Sequence, residues 1–383
     1  MENGMKGFLR TRKWLGFLGV VMLIVNVAVV AYGETLNAGD YAVVSGIQLQ
    51  QLTSSALLND GTFLLTGMAD DAGVCFLLDQ RGSLLHQYRI DAPKSTHSAT
   101  VRGAARIGED IIAAAYDYVS NSSFIAVISS VGKITITENF EGEIEAVKPL
   151  ESGLLVCGSY YNEKKKQVPW AAKVGGKGKY EWVFEGEINQ VDAPGTLKHF
   201  EFCTEYADEY VLLQHEALGY PNGNVYTMIR LRKDGSFVFS ETIHLPKMEF
   251  GCHFSNVMVN GETLVLYGSV CASDYQYIAT VAAINEQAEV LWLKENAESI
   301  GVGAAESFNG CYYLSLTVPE RLGNTIMIID EFGNTIETFI NPFDLSLADS
   351  NIRNIIADEN DYLWIIGTIE NGEYCYIAKL AKQ

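Results

Sequence analysis

One phrase returns about seven times along this chain: an apolar hairpin built on a glycine, a second strand, then a turn and a short third strand. Its clearest copies are Leu57–Tyr88, Leu150–Phe184 and Tyr362–Leu380. Self-similarity at a period of roughly 45–55 residues, with four strands per unit, is the signature of a β-propeller. The expected fold class is therefore all-β, a β-propeller of seven blades, with six or eight as the alternatives. A unit of this size cannot bury its own faces and must pack on its neighbours. A length of 383 residues, which would otherwise point to two or three domains, then fits one ring over residues 41–383.

The local chemistry agrees with that reading. Runs of Val, Ile, Leu, Tyr and Phe are bounded by Gly, Asn and Asp, and many are apolar on both faces. Such strands suit sheets packed from both sides rather than a sheet with one wet face. Arg81-Gly82, Val131-Gly132, Asp234-Gly235 and Phe332-Gly333 place glycine where a tight hairpin needs positive φ. The last unit, Tyr362–Leu380, lacks an outer strand, while Tyr41–Gly46 stands unpaired at the other end. Joining the two in one blade would remove the exposed edges that promote aggregation.

Charge narrows the partners. The whole chain has a formal charge of −20. Residues 1–33 hold Lys6, Arg10, Arg12 and Lys13 against Glu2 alone, which leaves 23 basic and 46 acidic side chains in the remainder, a net of −23. A surface that acidic repels phosphate backbones and anionic headgroups, so nucleic acid is not an expected partner. Cations, basic peptides and neutral polymers are better matched.

The same N-terminal stretch has a basic region, the apolar run Leu15–Val30, and then Ala31-Tyr32-Gly33, a small-x-small triplet suited to signal peptidase. Residues 1–33 read as a signal peptide, the alternative being an uncleaved membrane anchor. Either way the rest is expected in the cell envelope or outside the cell, touching membrane only through this segment if it stays attached. Seven cysteines are scattered without a CxxC pair, most of them within apolar strand runs where Cys acts as a small hydrophobe. A single Cys203–Cys252 bridge is the alternative. The leader and the sparse disulfides together suit a bacterial exported protein.

The ends of the units run aspartate or asparagine, turn, then aromatic. LDQRGSLLHQY at Leu78–Tyr88, Trp182 in KGKYEWVF, INEQAEVLW ending at Trp292, and IDEFGNTIETF at Ile329–Phe339 carry the pattern. In this the chain resembles the quinoprotein-like (PQQ-like) propeller superfamily, including outer-membrane assembly lipoproteins of that shape. The resemblance covers most of the chain after about residue 41, with Trp182 and Trp292 at the tryptophan position. It implies a non-catalytic, exported propeller, and since no quinone-and-calcium site accompanies it, no cofactor is expected.

Catalytic patterns are sparse. There is no GxSxG elbow, and His215-Glu216 is not followed by the second histidine of a zinc protease. The turn Gly175-Gly176-Lys177-Gly178 lacks the Ser or Thr that completes a phosphate loop. An enzyme is thus the less expected outcome. A polysaccharide-degrading hydrolase or lyase using paired carboxylates is the alternative.

Two constellations arise from the repeat itself. Loops joining the two hairpin strands share one face and carry Tyr116, Tyr118, Tyr160, Tyr161, Trp170, Tyr220, Tyr275 and Tyr277, with acidic neighbours. Exposed aromatics with interleaved polar groups suit a peptide or a sugar face, whereas strand packing is the plainer role for the same rings. The second constellation is His97, His199 and His253, each just before an expected inner strand. Converging imidazoles are metal ligands, and hydrogen-bonded structural histidines are the plainer alternative, so no metal is assigned. Together these features make a binding or scaffold protein that contacts a protein, peptide or glycan at the cell surface.

Overall fold

The computed structural model describes residues 41–93, 99–187, 197–217, 224–245, 251–271, 276–318, 325–340, 351–358, 360, 362–369 and 374–380, with side chains from Ile47 onward except at positions 340 and 380. The expected leader, residues 1–33, lies outside the described residues. Every regular element among the described residues is a strand.

Apart from β1 (Tyr41–Gln48), the strands follow in fours. Blade 1 is β2 (Gln51–Leu57), β3 (Phe63–Ala69), β4 (Ala72–Leu78) and β5 (Leu84–Ile90). Blade 2 is β6 (Ala99–Ile107), β7 (Asp110–Asp117), β8 (Ser122–Ile128) and β9 (Ile134–Glu141). Blade 3 is β10 (Glu143–Leu150), β11 (Gly153–Tyr161), β12 (Gln167–Gly175) and β13 (Tyr180–Glu185). Blade 4 is β14 (Leu197–Tyr206), β15 (Glu209–Ala217), β16 (Asn224–Arg232) and β17 (Phe237–Ile243). Blade 5 is β18 (Cys252–Asn260), β19 (Thr263–Cys271), β20 (Tyr277–Ile284) and β21 (Val290–Asn296). Blade 6 is β22 (Gly301–Phe308), β23 (Cys311–Thr317), β24 (Thr325–Asp330) and β25 (Thr335–Ile340). Blade 7 is β26 (Asn351–Ala357), β27 (Leu363–Ile369) and β28 (Tyr374–Leu380), completed on its outer edge by β1.

The chain is thus a seven-bladed β-propeller. β1 pairs antiparallel with β28, Tyr41 opposite Ala378 and Val43 opposite Tyr376, which is the closure that the two unpaired ends require. Each inner strand touches the next, and β26 touches β2, so the ring is complete. At that last junction Asn354 Nδ2 donates to the carbonyl of Ser55 at 3.0 Å.

The core is divided in the same way: among the described residues it forms seven apolar clusters, one in each junction between blades. Strand periodicity supplies both sides of each blade. In β3, Phe63 and Leu65 pack toward blade 7, while Leu64 between them packs toward blade 2. This explains why so many strands are apolar at every position. None of the seven cysteines is in a disulfide, so the Cys203–Cys252 bridge does not form. Cys203 packs in the junction of blades 3 and 4 and Cys252 in that of blades 4 and 5, so the body of blade 4 separates them.

The turn-then-aromatic endings also have a structural cause. Asp79 Oδ1 accepts from the backbone N–H of Arg81 and of Ser83, both at 2.8 Å, and Asp330 Oδ1 accepts from Phe332 and Asn334 at 3.0 and 2.7 Å. These side chains close the turn that sends the chain into the outer strand. The tryptophans then dock on the turn of the following blade. Trp182 Nε1 donates to the Lys233 carbonyl at 3.0 Å and Trp292 Nε1 to the Glu331 carbonyl at 2.8 Å. Both rings lie on a glycine: a Cβ at Gly235 would stand 2.6 Å from Trp182, and one at Gly333 2.9 Å from Trp292. Replacing Trp182 with alanine removes the hydrogen bond and the ring packing together. It should lower unfolding free energy by about 2 kcal/mol in a urea titration, with the slope unchanged.

Candidate functional site

Every inner strand carries one extra residue at a β-bulge: Thr53, Arg102, Glu145, Glu201, Ser255, Gly303 and Arg353. The residue before the bulge is apolar and buried in all seven copies: Leu52, Val101, Ile144, Phe200, Phe254, Val302 and Ile352. Each of these packs toward the preceding blade. The bulged residue and the one two before it therefore turn the other way, along the inner edge of the ring. A bulge is a device for re-aiming side chains, and here it repeats around the ring.

What it aims is uneven. Blade 6 offers Gly301 and Gly303, hence no side chain, whereas blades 2 to 5 present Arg102, Glu143, Glu145, His199, Glu201 and His253. Arg102 donates to Glu143 at 2.6 Å across the junction of blades 2 and 3. Its guanidinium also lies 5.7 and 6.0 Å from the rings of Tyr116 and Tyr118, a cation–π arrangement that joins this edge to the loop face.

The densest part is in blade 4. β14 and β15 pair with His199 opposite His215, and their rings meet edge to face at 5.1 Å. His253 of blade 5 also approaches His215, with ring centroids 5.9 Å apart. Glu201, at the bulge, brings Oε2 to 3.8 Å from His215 Nδ1. Tyr226, fully buried in β16, stacks on His215 at 4.9 Å and donates its hydroxyl to Glu201 Oε2 at 2.7 Å.

His215 is only 5% exposed, and neither ring nitrogen has a hydrogen-bond partner. Asn224 Nδ2 donates to the Cys252 carbonyl at 2.9 Å, and the Asn224 side chain favours the charged form of His215 without outweighing burial. A buried donor or acceptor left unmatched costs about 1–3 kcal/mol. Burial, reinforced by His199 and His253, brings the His215 pKa down to about 4. Burial also lowers that of His199, against the opposing charge of Glu143. Glu201 is pushed up to about 7, again chiefly by burial, and Glu143 and Glu145 are raised for the same reason. At neutral pH the His215 imidazole is uncharged, and the Glu201 beside it stands near its midpoint.

The aromatic loops divide between surface and interior. Tyr160 and Tyr161 border a groove of about 680 Å³ between blades 2 and 3, with Phe140, Trp170 and Tyr180 behind them and Glu141, Glu163 and Glu185 along it. Tyr161 is 57% exposed, and Tyr160 donates to Glu185 Oε1 at 2.7 Å. Trp170 is not an exposed ring: it is buried edge to face on Phe140 at 4.3 Å. Trp170 Nε1 and the Tyr180 hydroxyl are nonetheless buried without partners. Tyr116 is likewise buried, its hydroxyl bound to Asn121 Oδ1 at 2.5 Å, while Tyr118 stays exposed beside it. Tyr277 is exposed at the start of β20. Tyr220, Tyr275 and His97 lie outside the described residues.

Sequence reasoning singled out His199 and His253 but missed Glu201 and the role of His215. The signal was present as a repeated polar–apolar–polar triplet, from Gln51-Leu52-Thr53 through His199-Phe200-Glu201 to Asn351-Ile352-Arg353. The second histidine absent downstream of His215-Glu216 is supplied from the paired strand.

No protein-family model matches this sequence, and no curated protein matches it. Solved structures do. The β-propeller domain of the Trilobed protease from Pyrococcus furiosus superposes with a TM-score of 0.51 over 90% of this chain and 97% of that one, at 12% identity. Sqt1 from Chaetomium thermophilum gives 0.50 over 87% and 83%, also at 12% identity. Prolyl oligopeptidase B from Galerina marginata gives 0.51 at 13% identity, over 92% of this chain but 51% of its own. At such identities the likeness is one of fold. The Pyrococcus propeller is described as having an open velcro topology, whereas β1 closes the last blade here.

Proposed function

We propose that this propeller is an exported, cell-surface or secreted binding scaffold whose loop face grips an extended peptide bearing basic side chains. The groove between blades 2 and 3 carries the reading: its lining has three carboxylates, several aromatic rings and no basic residue. Aromatic walls desolvate at low cost and offer flat faces to a backbone, while Glu141 and Glu163 would meet a Lys or Arg. The net charge of −23 beyond the leader supports the same class of partner by steering.

The tryptophan-on-glycine docking at Gly235 and Gly333 supports kinship with the quinoprotein-like propellers. A glycan in place of the peptide, or a hydrolase or lyase acting on one, would give different results in a single assay. A panel of basic, neutral and acidic peptides and of oligosaccharides is offered to the purified chain, with both retention and turnover recorded. The basic peptides should be retained uncleaved. Tyr161→Ala and Glu163→Gln should each weaken retention about tenfold or more while leaving the unfolding midpoint unchanged. Retention of oligosaccharides alone, or their cleavage, would sink the peptide reading.

A further inference from the structure

The blade 4 cluster is separate from the groove and has the makings of a metal site. The imidazole nitrogens of His199 and His215 and a carboxylate oxygen of Glu201 lie within 4.8 Å of one another. An ion at the centre of a triangle of that edge would be about 2.8 Å from each atom, so an inward shift of about 0.7 Å reaches Zn–N and Zn–O distances. That is a small side-chain adjustment. The three donors come from two paired strands whose register fixes His199 opposite His215, so the backbone already holds the triangle.

A second observation points to a ligand independently of this proximity. His215 is buried at 5% exposure with both nitrogens unpartnered, and it faces Glu201 and His199. Coordination would satisfy one of the two, since a metal takes the unprotonated nitrogen of a neutral imidazole. The carboxylate is already oriented by the hydroxyl of Tyr226, the kind of outer partner that metal ligands use. Glu143 and Glu145 add negative charge nearby, with Arg102 as the cation paired to Glu143.

We propose that His199, Glu201 and His215 bind a single divalent first-row transition ion, Zn²⁺ by its donor set, at the inner edge of blade 4. Two imidazoles and one carboxylate form a mixed nitrogen and oxygen set that suits Zn²⁺ and Co²⁺ better than Ca²⁺ or Mg²⁺, which take all-oxygen shells. His253 of blade 5 lies beside this set, its ring centroid 5.9 Å from that of His215. Bound there, the ion would tie β14 to β15.

The test is calorimetric titration of the chelator-treated chain with Zn²⁺, and with Co²⁺ as a spectroscopic stand-in. One ion per chain should bind at low micromolar or tighter affinity, Co²⁺ should give d–d absorption bands, and Zn²⁺ should raise the unfolding temperature. Glu201→Gln and His199→Ala should each weaken binding at least a hundredfold, and Tyr226→Phe about tenfold. His215→Ala should abolish it; if that variant does not fold, the two substitutions on β14 carry the result. Absence of one-to-one binding, or affinity unchanged in both Glu201→Gln and His199→Ala, overturns the site. Neither outcome bears on the groove.

Discussion

A chain beginning at Leu49 should unfold more than about 10 °C below one that begins at Glu34, and should aggregate as its concentration rises. The cause is local. β1 is the outer strand of blade 7 and reaches it from the opposite end of the sequence, pairing from Tyr41↔Ala378 to Gln48↔Tyr374. Without it β28 becomes a bare edge whose unpaired N–H and C=O groups template association with other chains. The junction of blades 7 and 1 also loses Ile47, which is 3% exposed and packs in the cluster that holds Phe63 and Trp364. Closure matters beyond its own contacts, because joining the two ends couples all the blades into one cooperative unit. Calorimetry and light scattering on the two chains read both effects. A synthetic peptide spanning residues 41–48 should bind the truncated chain and recover part of the loss by strand addition. Identical transitions in the two chains would show that the ring does not depend on its closing strand.

That closure was readable in the sequence because strand signals are local. A four-strand unit repeated with one strand missing at the end, and one strand to spare at the beginning, has a short list of solutions. The Asp and Asn turns were equally legible, since Asp79 and Asp330 act within their own five-residue turns. The site was harder. Converging histidines were visible at His199 and His253, but the ring that lies between them, His215, depends on cross-strand register, which is set by the whole blade. Glu201 depends on a bulge, and a bulge leaves no single-residue mark in the sequence. The aromatic loops show the opposite error: Tyr116 and Trp170 carry the same letters as exposed binding rings, yet blade packing buries both. Side-chain exposure is a property of the junction, and junctions are made by residues some 50 positions apart.

The bulges also explain the glycine on which the repeated hairpin is built. Gly67, Gly158, Gly268 and Gly367 each lie opposite the apolar residue of the triplet, where the inner strand's backbone crosses over them. A Cβ on Gly268 would stand 2.2 Å from the His253 carbonyl oxygen, 2.6 Å from Phe254 Cα and 2.7 Å from Ser255 N. All three are main-chain atoms, so no side chain can swing aside. Gly268→Ala should therefore cost about 3 kcal/mol, at the upper end of what overpacking a core does, by forcing the inner strand of blade 5 outward. Blades 2, 4 and 6 carry Ala115, Gln214 and Leu316 at the matching register, so a side chain is compatible with the fold where the bulge has formed around it. Ala115→Gly in blade 2 is the proper comparison. It deletes one buried methyl and relieves no clash, so it should cost about 1 kcal/mol. Urea titrations of both variants decide the matter, and equal losses would mean that the glycine serves something other than the close crossing. The inner-strand displacement has a second readout, because His253 supplies the carbonyl that the new methyl would strike. Its imidazole resonances should shift in Gly268→Ala and remain in place in Ala115→Gly.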